Sequence, residues 1–265
     1  MDELDVYGKI LFFFQVSAIV IFVGTLLAGS PYGSQIKEPP KYTVHGKWGW
    51  FVMEIVSPVV LIAAYLSPTM LGVFAPQPVQ TSAAGNLFVL LWVMHYVNRA
   101  IVYPLRAPSR KPLPLDTVVQ AVIFNSINGY LAGRHFSVVH PEQYLGNYLM
   151  GHPVRCLAGL GLFAAGMYGN IYHDGVLMEL RRSGKTTGYA VPTGGLFRWV
   201  SCPHYLSEAV EWLGLALASG SPAVLTFALN TMANLFARAV HVHRWYQGRF
   251  EDYPRNRKAV IPYLL

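Results

Sequence analysis

Seven long apolar stretches, separated by short polar segments, dominate this 265-residue chain. They run over roughly 10–29, 48–66, 83–103, 116–133, 154–180, 205–219 and 220–243. A helix needs about 20 mostly apolar residues to cross roughly 30 Å of hydrocarbon. Within lipid only helices and closed barrels satisfy their own backbone hydrogen bonds. The fourth and sixth stretches are short and carry polar residues, and a tight turn at Ser219, Gly220, Ser221 and Pro222 joins the last two. Charged residues make up 12% of the chain, against about a quarter in soluble domains. The expected fold is therefore all-α: a single polytopic membrane domain spanning 1–265, with seven transmembrane helices. The leader Met1 to Tyr7 is acidic and no small-x-small cleavage site follows, so the first stretch reads as a retained helix and not a signal peptide.

The distribution of Lys and Arg orients the helices, because cytoplasmic loops carry the excess. With the N-terminus outside and the C-terminus cytosolic, the inward segments hold 15 of the 20 Lys and Arg residues. The outward side holds Lys9, Arg134 and Arg155, while Arg99 and Arg238 lie inside helices. An even number of helices would spoil this alternation. The formal charge of +7 is thus a topology signal, and its spread over four separate segments argues against nucleic acid as a partner. No obligate protein partner is evident.

Charged groups at mid-bilayer cost about 2.5–3.5 kcal/mol on translocon scales, so each needs a reason. Glu54 lies six residues into the second stretch with apolar neighbours on both sides. His95, Tyr96, Asn98 and Arg99 come late in the third, Asn125 and Asn128 in the fourth, and Asn170, Asp174 and Arg181 late in the fifth. His204, Tyr205, Glu208 and Glu211 open the sixth, and Arg238, His241, His243 and Arg244 close the seventh. Asn170 and Asp174 are i, i+4, with Arg181 seven further on, so the three share one helix face. In the topology above, Glu54 and the clusters of helices three, five, six and seven fall near inward ends. They are expected to converge on one cavity open to the cytosol, cationic at its rim. The bland readings are headgroup snorkelling for Arg181 and Arg244, helix bridging for Asn125 and interfacial placement for His241 and His243.

Several classes are excluded. Two Cys residues rule out a disulfide scaffold and a multi-Cys zinc cluster. No HExxH motif or His-rich ligand set occurs, so no metal is expected. Neither G-x-G-x-x-G after a strand nor GxxxxGK[ST] is present. A bound dinucleotide would need a site built from the cationic rim, where Arg is suited to phosphate by its two-pronged fork.

Tyr189 to Ala218 (YAVPTGGLFRWVSCPHYLSEAVEWLGLALA) and Arg238 to Leu265 (RAVHVHRWYQGRFEDYPRNRKAVIPYLL) resemble the C-terminal signature of the steroid 5-alpha-reductase family. WFVMEIVS (Trp50 to Ser57), MHYVNRAIVYP (Met94 to Pro104) and NIYHDGVLMELR (Asn170 to Arg181) are similar to its W-F-x-x-E-x-x-S, H-Y-x-x-R and N-I-x-x-D…L-R segments, in the same order. The resemblance runs from about residue 32 to the C-terminus. It implies a seven-helix membrane oxidoreductase that reduces the Δ4 double bond of 3-oxo-Δ4 steroids, or similar enone lipids, with NADPH. It further implies that Glu54 and Tyr96 hold the 3-oxo group, where a phenol and a protonated carboxyl would stabilise the enolate that hydride attack creates. The cofactor positions carried over are Arg99, Arg110, Asn170, Asp174, Arg181, Tyr189, His204, Glu208, Arg238 and Tyr246. His204 stands where some members have Asn. Met53 replaces the Gln that often precedes the glutamate, and Val242 interrupts a run of three His found in some members. A membrane methyltransferase of the isoprenylcysteine type, using S-adenosylmethionine, is the alternative suggested by Cys202 to Tyr205 with Glu208. A non-enzymatic transporter is the other. The expected location is a multi-pass membrane site with lipid around it. The short N-terminus and lack of any N-x-[ST] acceptor point to a bacterial inner membrane and not the endoplasmic reticulum.

Overall fold

A computed structural model describes residues 2–29, 41–69, 76–108, 111–139, 147, 149–182 and 190–265. The expected positions Arg110 and Tyr189 lie outside the described residues. Among these residues seven long helices follow one another: α1 (Glu3–Ala28), α2 (Gly46–Leu66), α3 (Ala83–Arg106), α4 (Leu115–Arg134), α5 (Pro153–Arg182), α6 (Pro203–Ser219) and α7 (Pro222–Arg249). Five of them, all but α4 and α6, are long and apolar enough to cross a membrane, with mean hydropathy from 1.2 to 2.5. The molecule is an all-α, multi-pass membrane protein. α1 begins seven residues before its apolar stretch, because the Asp2 side chain accepts from the Leu4 N–H at 3.3 Å and caps the acidic first turn.

Local chemistry fixes the other helix ends as well. Ser82 accepts from Gly85 N–H at 2.9 Å to start α3. Between α6 and α7, Gly220 takes φ of 65°, which a residue with a Cβ rarely adopts. Ser221 then caps α7, with Pro222 in its first turn. A two-residue antiparallel pair, β1 (Thr43–Val44) against β2 (Leu113–Pro114), ties the start of α2 to the start of α4.

Between lipid-facing helices there is no hydrophobic driving force, so close backbone approach has to do the holding. α5 lies against α6 through Gly159, Gly166 and Gly214, where a methyl group would overlap the facing backbone. α4 lies against α2 the same way: a Cβ on Gly129 would sit 2.6 Å from the Ser57 carbonyl, and one on Gly133 2.5 Å from that of Leu61. α1 packs on α7, joined by Ser17 Oγ to Asn230 Oδ1 at 2.9 Å and Asn230 Nδ2 to Phe14 O at 2.8 Å. The opposite face of α1 is outward, with Phe13, Ile19 and Leu27 exposed. At the centre, the Trp92, Trp212 and Phe227 rings meet at 4.6–4.8 Å.

Candidate active site

The site forms at the end of the bundle where α2 and α6 begin and α3, α5 and α7 finish. α3 changes character there: Val97–Val102 is a π-helical segment directly after Tyr96. Such segments are rare and concentrate at functional sites. Inside it Arg99 is buried. Its Nη1 donates to Asp174 Oδ2 on α5 at 2.9 Å, and its Nη2 reaches Glu208 Oε2 on α6 at 3.3 Å. The guanidinium lies over the Trp50 ring at 5.2 Å and the Tyr103 ring at 5.0 Å. The Trp50 indole N–H donates to the Arg99 carbonyl at 2.9 Å, so α2 holds this segment by its backbone too. Asn170 Nδ2 donates to the His204 carbonyl at 3.0 Å and to Glu208 Oε2 at 3.3 Å. Asn170 and Asp174 thus share a face, as their spacing predicts.

One turn away, the Tyr96 hydroxyl donates to Asn125 Oδ1 at 3.2 Å, and Asn125 Nδ2 donates to the Met53 carbonyl at 2.6 Å. Asn125 therefore bridges α2, α3 and α4 at the residue preceding Glu54. The Glu54 side chain is close enough to act through space on both Tyr96 and Arg99. Phenol, carboxyl and guanidinium form one neighbourhood, contributed by α2 and α3.

A cationic group lies beside it. The charges of Arg99, Arg181 and Arg238 all reach His204. His204 Nδ1 is buried with no hydrogen-bond partner among the described residues. Arg238 lies over the Tyr205 ring at 5.6 Å. Tyr246 is buried, stacks on Tyr253 at 5.3 Å and 12°, and feels the Arg181 charge. Arg181 is exposed on the last turn of α5, and its neighbour Arg182 donates to the Arg106 carbonyl. Of the twelve expected site residues, ten are described. Glu54, Tyr96, Arg99, Asn170, Asp174 and Glu208 gather at the core of the site, with His204, Arg238, Arg181 and Tyr246 at its cationic side.

Sequence reasoning does not place Trp50 and Tyr103 in the site, because an aromatic residue in an apolar stretch looks like core. Nor does it pair His95 with Glu211, whose atoms stand 2.8 Å apart. The signal is present: His95 and Arg99 four apart on one helix match Glu208 and Glu211 three apart on another. The C-terminal residues also stay unassigned by spacing. Ser201 Oγ meets His243 Nδ1 and the Tyr253 hydroxyl, each at 2.6 Å, while Cys202 N–H donates to Ala259 O at 3.0 Å.

Known proteins are similar to this chain over its whole length. A family model described as 3-oxo-5-alpha-steroid 4-dehydrogenase matches residues 111–265. "3-oxo-5-alpha-steroid 4-dehydrogenase 1" of Rattus norvegicus is 36% identical, covering 100% of this chain and 98% of the relative. "Steroid 5-alpha-reductase DET2" of Solanum lycopersicum is 38% identical over 99% of this chain and 98% of the relative. The Homo sapiens "3-oxo-5-alpha-steroid 4-dehydrogenase 1" is 34% identical over 92% and 90%. The matched span contains α4 to α7 with most of the buried polar cluster, the relatives extend the match to α2 and α3, and the chain accordingly belongs to the 3-oxo-5-alpha-steroid 4-dehydrogenase family.

Proposed function

We propose that this protein reduces the Δ4 double bond of 3-oxo-Δ4 steroids, or of a similar enone lipid, with NADPH. The observation that carries the reading is the neighbourhood of Tyr96, Glu54 and Arg99 at the buried end of a membrane bundle. The residues beside it fit a dinucleotide phosphate. Arg181 and Arg238 bring positive charge toward His204, and the buried His204 Nδ1 is left without a partner among the described residues. NADPH, when bound, supplies the hydride for the β-carbon of the enone, and a proton at the α-carbon completes the reduction.

The side chains do the rest. Asn125 takes the Tyr96 proton's hydrogen bond in this structure, and a ketone oxygen placed between Tyr96 and Glu54 would take it over. The phenol then donates to the oxygen on which negative charge builds, and a protonated Glu54 donates a second bond; such donors are most effective where water is excluded. Arg99 is already engaged by Asp174 and Glu208, so its part is to fix those two acceptors. They and Asn170 are suited to hydroxyl and amide groups, and Arg181, Arg238 and the expected Arg110 and Tyr189 to the phosphates and their surroundings.

The topology proposed with this function has all seven helices of the single domain spanning the bilayer, the N-terminus outside and the site end cytosolic. It is supported by the clustering of Lys and Arg in the segments at that end. The test is direct. Detergent-purified protein mixed with NADPH and testosterone or progesterone should oxidise the nicotinamide and yield the saturated 3-ketone. Tyr96→Phe and Glu54→Gln should each lower kcat by about 100–1000-fold. No turnover across a panel of 3-oxo-Δ4 steroids would refute the substrate, and full activity in the two variants would refute the roles.

A further inference from the structure

Deeper in the bundle than Arg99 lies a second pair of ionisable groups. His95 Nδ1 and Glu211 Oε1 are 2.8 Å apart, with side chains 4% and 0% exposed. The pair links α3 to α6, as Arg99 and Glu208 do one turn nearer the end. The two contacts are successive rungs between antiparallel helices, and Tyr96 follows directly on the deeper one. The His95 ring packs 4.5 Å from that of Trp212 and 5.1 Å from that of Tyr96.

Stability is a poor reason for such a pair. Removing two ionisable groups from water costs more than their attraction returns unless their remaining lone pairs and protons are also satisfied. Here Glu211 Oε2 is buried with no hydrogen-bond partner among the described residues, and so is the neighbouring Trp212 Nε1. Two apolar side chains of similar volume would hold α3 to α6 as well or better. Orientation is a better reason. The π segment begins at Val97, and there the regular i to i−4 bonding that fixes one helix turn against the next is interrupted. The direction of Tyr96 then depends on what grips α3 on either side: Arg99 within the π segment, His95 before it.

We propose that His95 and Glu211 are positioning residues of the enone reduction, their hydrogen bond setting the rotation of α3 that keeps the Tyr96 phenol aimed at the carbonyl-binding place beside Glu54. The inference rests on the reductase reading above. It is tested with purified Glu211→Ala, Glu211→Gln and the double variant His95→Leu/Glu211→Leu, assayed with NADPH and the steroid that the wild type turns over. Glu211→Ala should lower kcat about tenfold or more, since a misplacement near 1 Å is enough to do so, with KM for NADPH within about twofold. Glu211→Gln keeps an oxygen for His95 and should stay within about threefold of wild type. The double variant should unfold at or above the wild-type temperature and still lose kcat about tenfold.

A kcat near the wild-type value in Glu211→Ala or in the double variant would overturn the proposal. So would an equal loss in Glu211→Gln and Glu211→Ala, or a rise of KM for NADPH in step with the loss of kcat. If Glu211→Ala does not fold, the double variant decides. A wild type without turnover overturns the reductase reading and this inference with it; wild-type turnover with unaffected variants overturns this inference alone.

Discussion

Arg99 joins three helices through one side chain: α5 through Asp174, α6 through Glu208 and α2 through the Trp50 ring. A Lys could offer charge but neither the fork nor the flat stacking surface. Arg99→Leu would remove the cation that the buried Asp174 and Glu208 carboxylates share, which destabilises by about 3–5 kcal/mol. Thermal unfolding in detergent should show a clearly lowered midpoint, and an unchanged one would mean that the carboxylates find other partners. Cys202 makes a different case. It is 1% exposed, and burial pushes its thiol up to about 12. At pH 8 the thiolate fraction is on the order of 10⁻⁴. Maleimide at that pH should leave Cys202 unmodified in native protein and label both cysteines after denaturation, as intact mass would report. Rapid native labelling would mean that the segment before α6 opens. At this scale the sequence speaks through cost. Glu54, Arg99, Asp174 and Glu208 are legible because charge inside an apolar stretch is expensive. Asn125 is legible as a helix bridge, but its partner Tyr96 is not, since a bridge shows only where the helices meet.

Helix pairs in this protein are set by residues that have almost nothing to contribute but their smallness. Gly166 on α5 faces the Glu211 backbone of α6, and any Cβ there collides with it. Gly166→Val should push α5 from α6 and cost about 1–3 kcal/mol, the usual penalty of overpacking. Because Asn170 and Asp174 sit about one and two turns further along α5, it should also weaken NADPH binding. Gly161 on the same helix is exposed with nothing within 4 Å of its added Cβ. Gly161→Ala should therefore stabilise by about 0.5–1 kcal/mol through the loss of backbone freedom in the unfolded chain. Unfolding temperatures moving in opposite directions for these two substitutions would establish that α5 has one packed and one open glycine face; equal shifts would deny it. Helix extents are legible from hydropathy to within a few residues, apart from the start of α1, which a capping Asp2 moves outward, and the end of α7, which runs six residues past its apolar stretch to Arg249. The pairing of α2 with α4 has a signal in Gly129 and Gly133, four apart. The π segment has none: Asn98 and Arg99 within Val97–Val102 mark it as polar but not as π-helical, and the Trp50 indole that donates to the Arg99 carbonyl is far away in sequence.

The whole molecule has two polar ends of different character. The site end carries the Arg99 ion pairs and, beside them, the buried His204 Nδ1, which has no hydrogen-bond partner among the described residues. The opposite end carries a tightly closed buried pair beside the exposed Asp5–Lys9 pair. Glu3 is 2% exposed and Arg134 1% exposed; Nε and Nη2 of Arg134 donate to the two Glu3 oxygens at 2.8 and 3.1 Å. Arg134 Nη1 donates to the Ala64 and Ser67 carbonyls at 3.2 and 2.6 Å, so it also closes the C-terminus of α2. This pair, unlike His95 with Glu211, has its bonds filled, and together with the buried Tyr7, packed on Tyr130, it ties α1 to α2 and α4. The gathering of polar residues at one end is legible from their phase along alternating helices, whereas this lock is not: Glu3 lies in an acidic leader that looks solvated, and Arg134 looks like an outer loop cation. Asn125 lies nine residues before Arg134 on α4, about 13 Å along the helix axis, so the lock is remote from the Tyr96 neighbourhood. Glu3→Ala strands a buried guanidinium and should cost about 3–5 kcal/mol of stability, read as a fall in unfolding temperature in detergent. Enzyme that remains folded should keep its kcat and its KM for NADPH, because Glu3 starts α1 at the end of the bundle away from the site, while α1 approaches the site end only through the Thr25 and Leu26 carbonyls bonded to His241. A fall in kcat at full folding would place α1 in the catalytic geometry, and an unchanged unfolding temperature would mean that Arg134 is held by the α2 carbonyls alone.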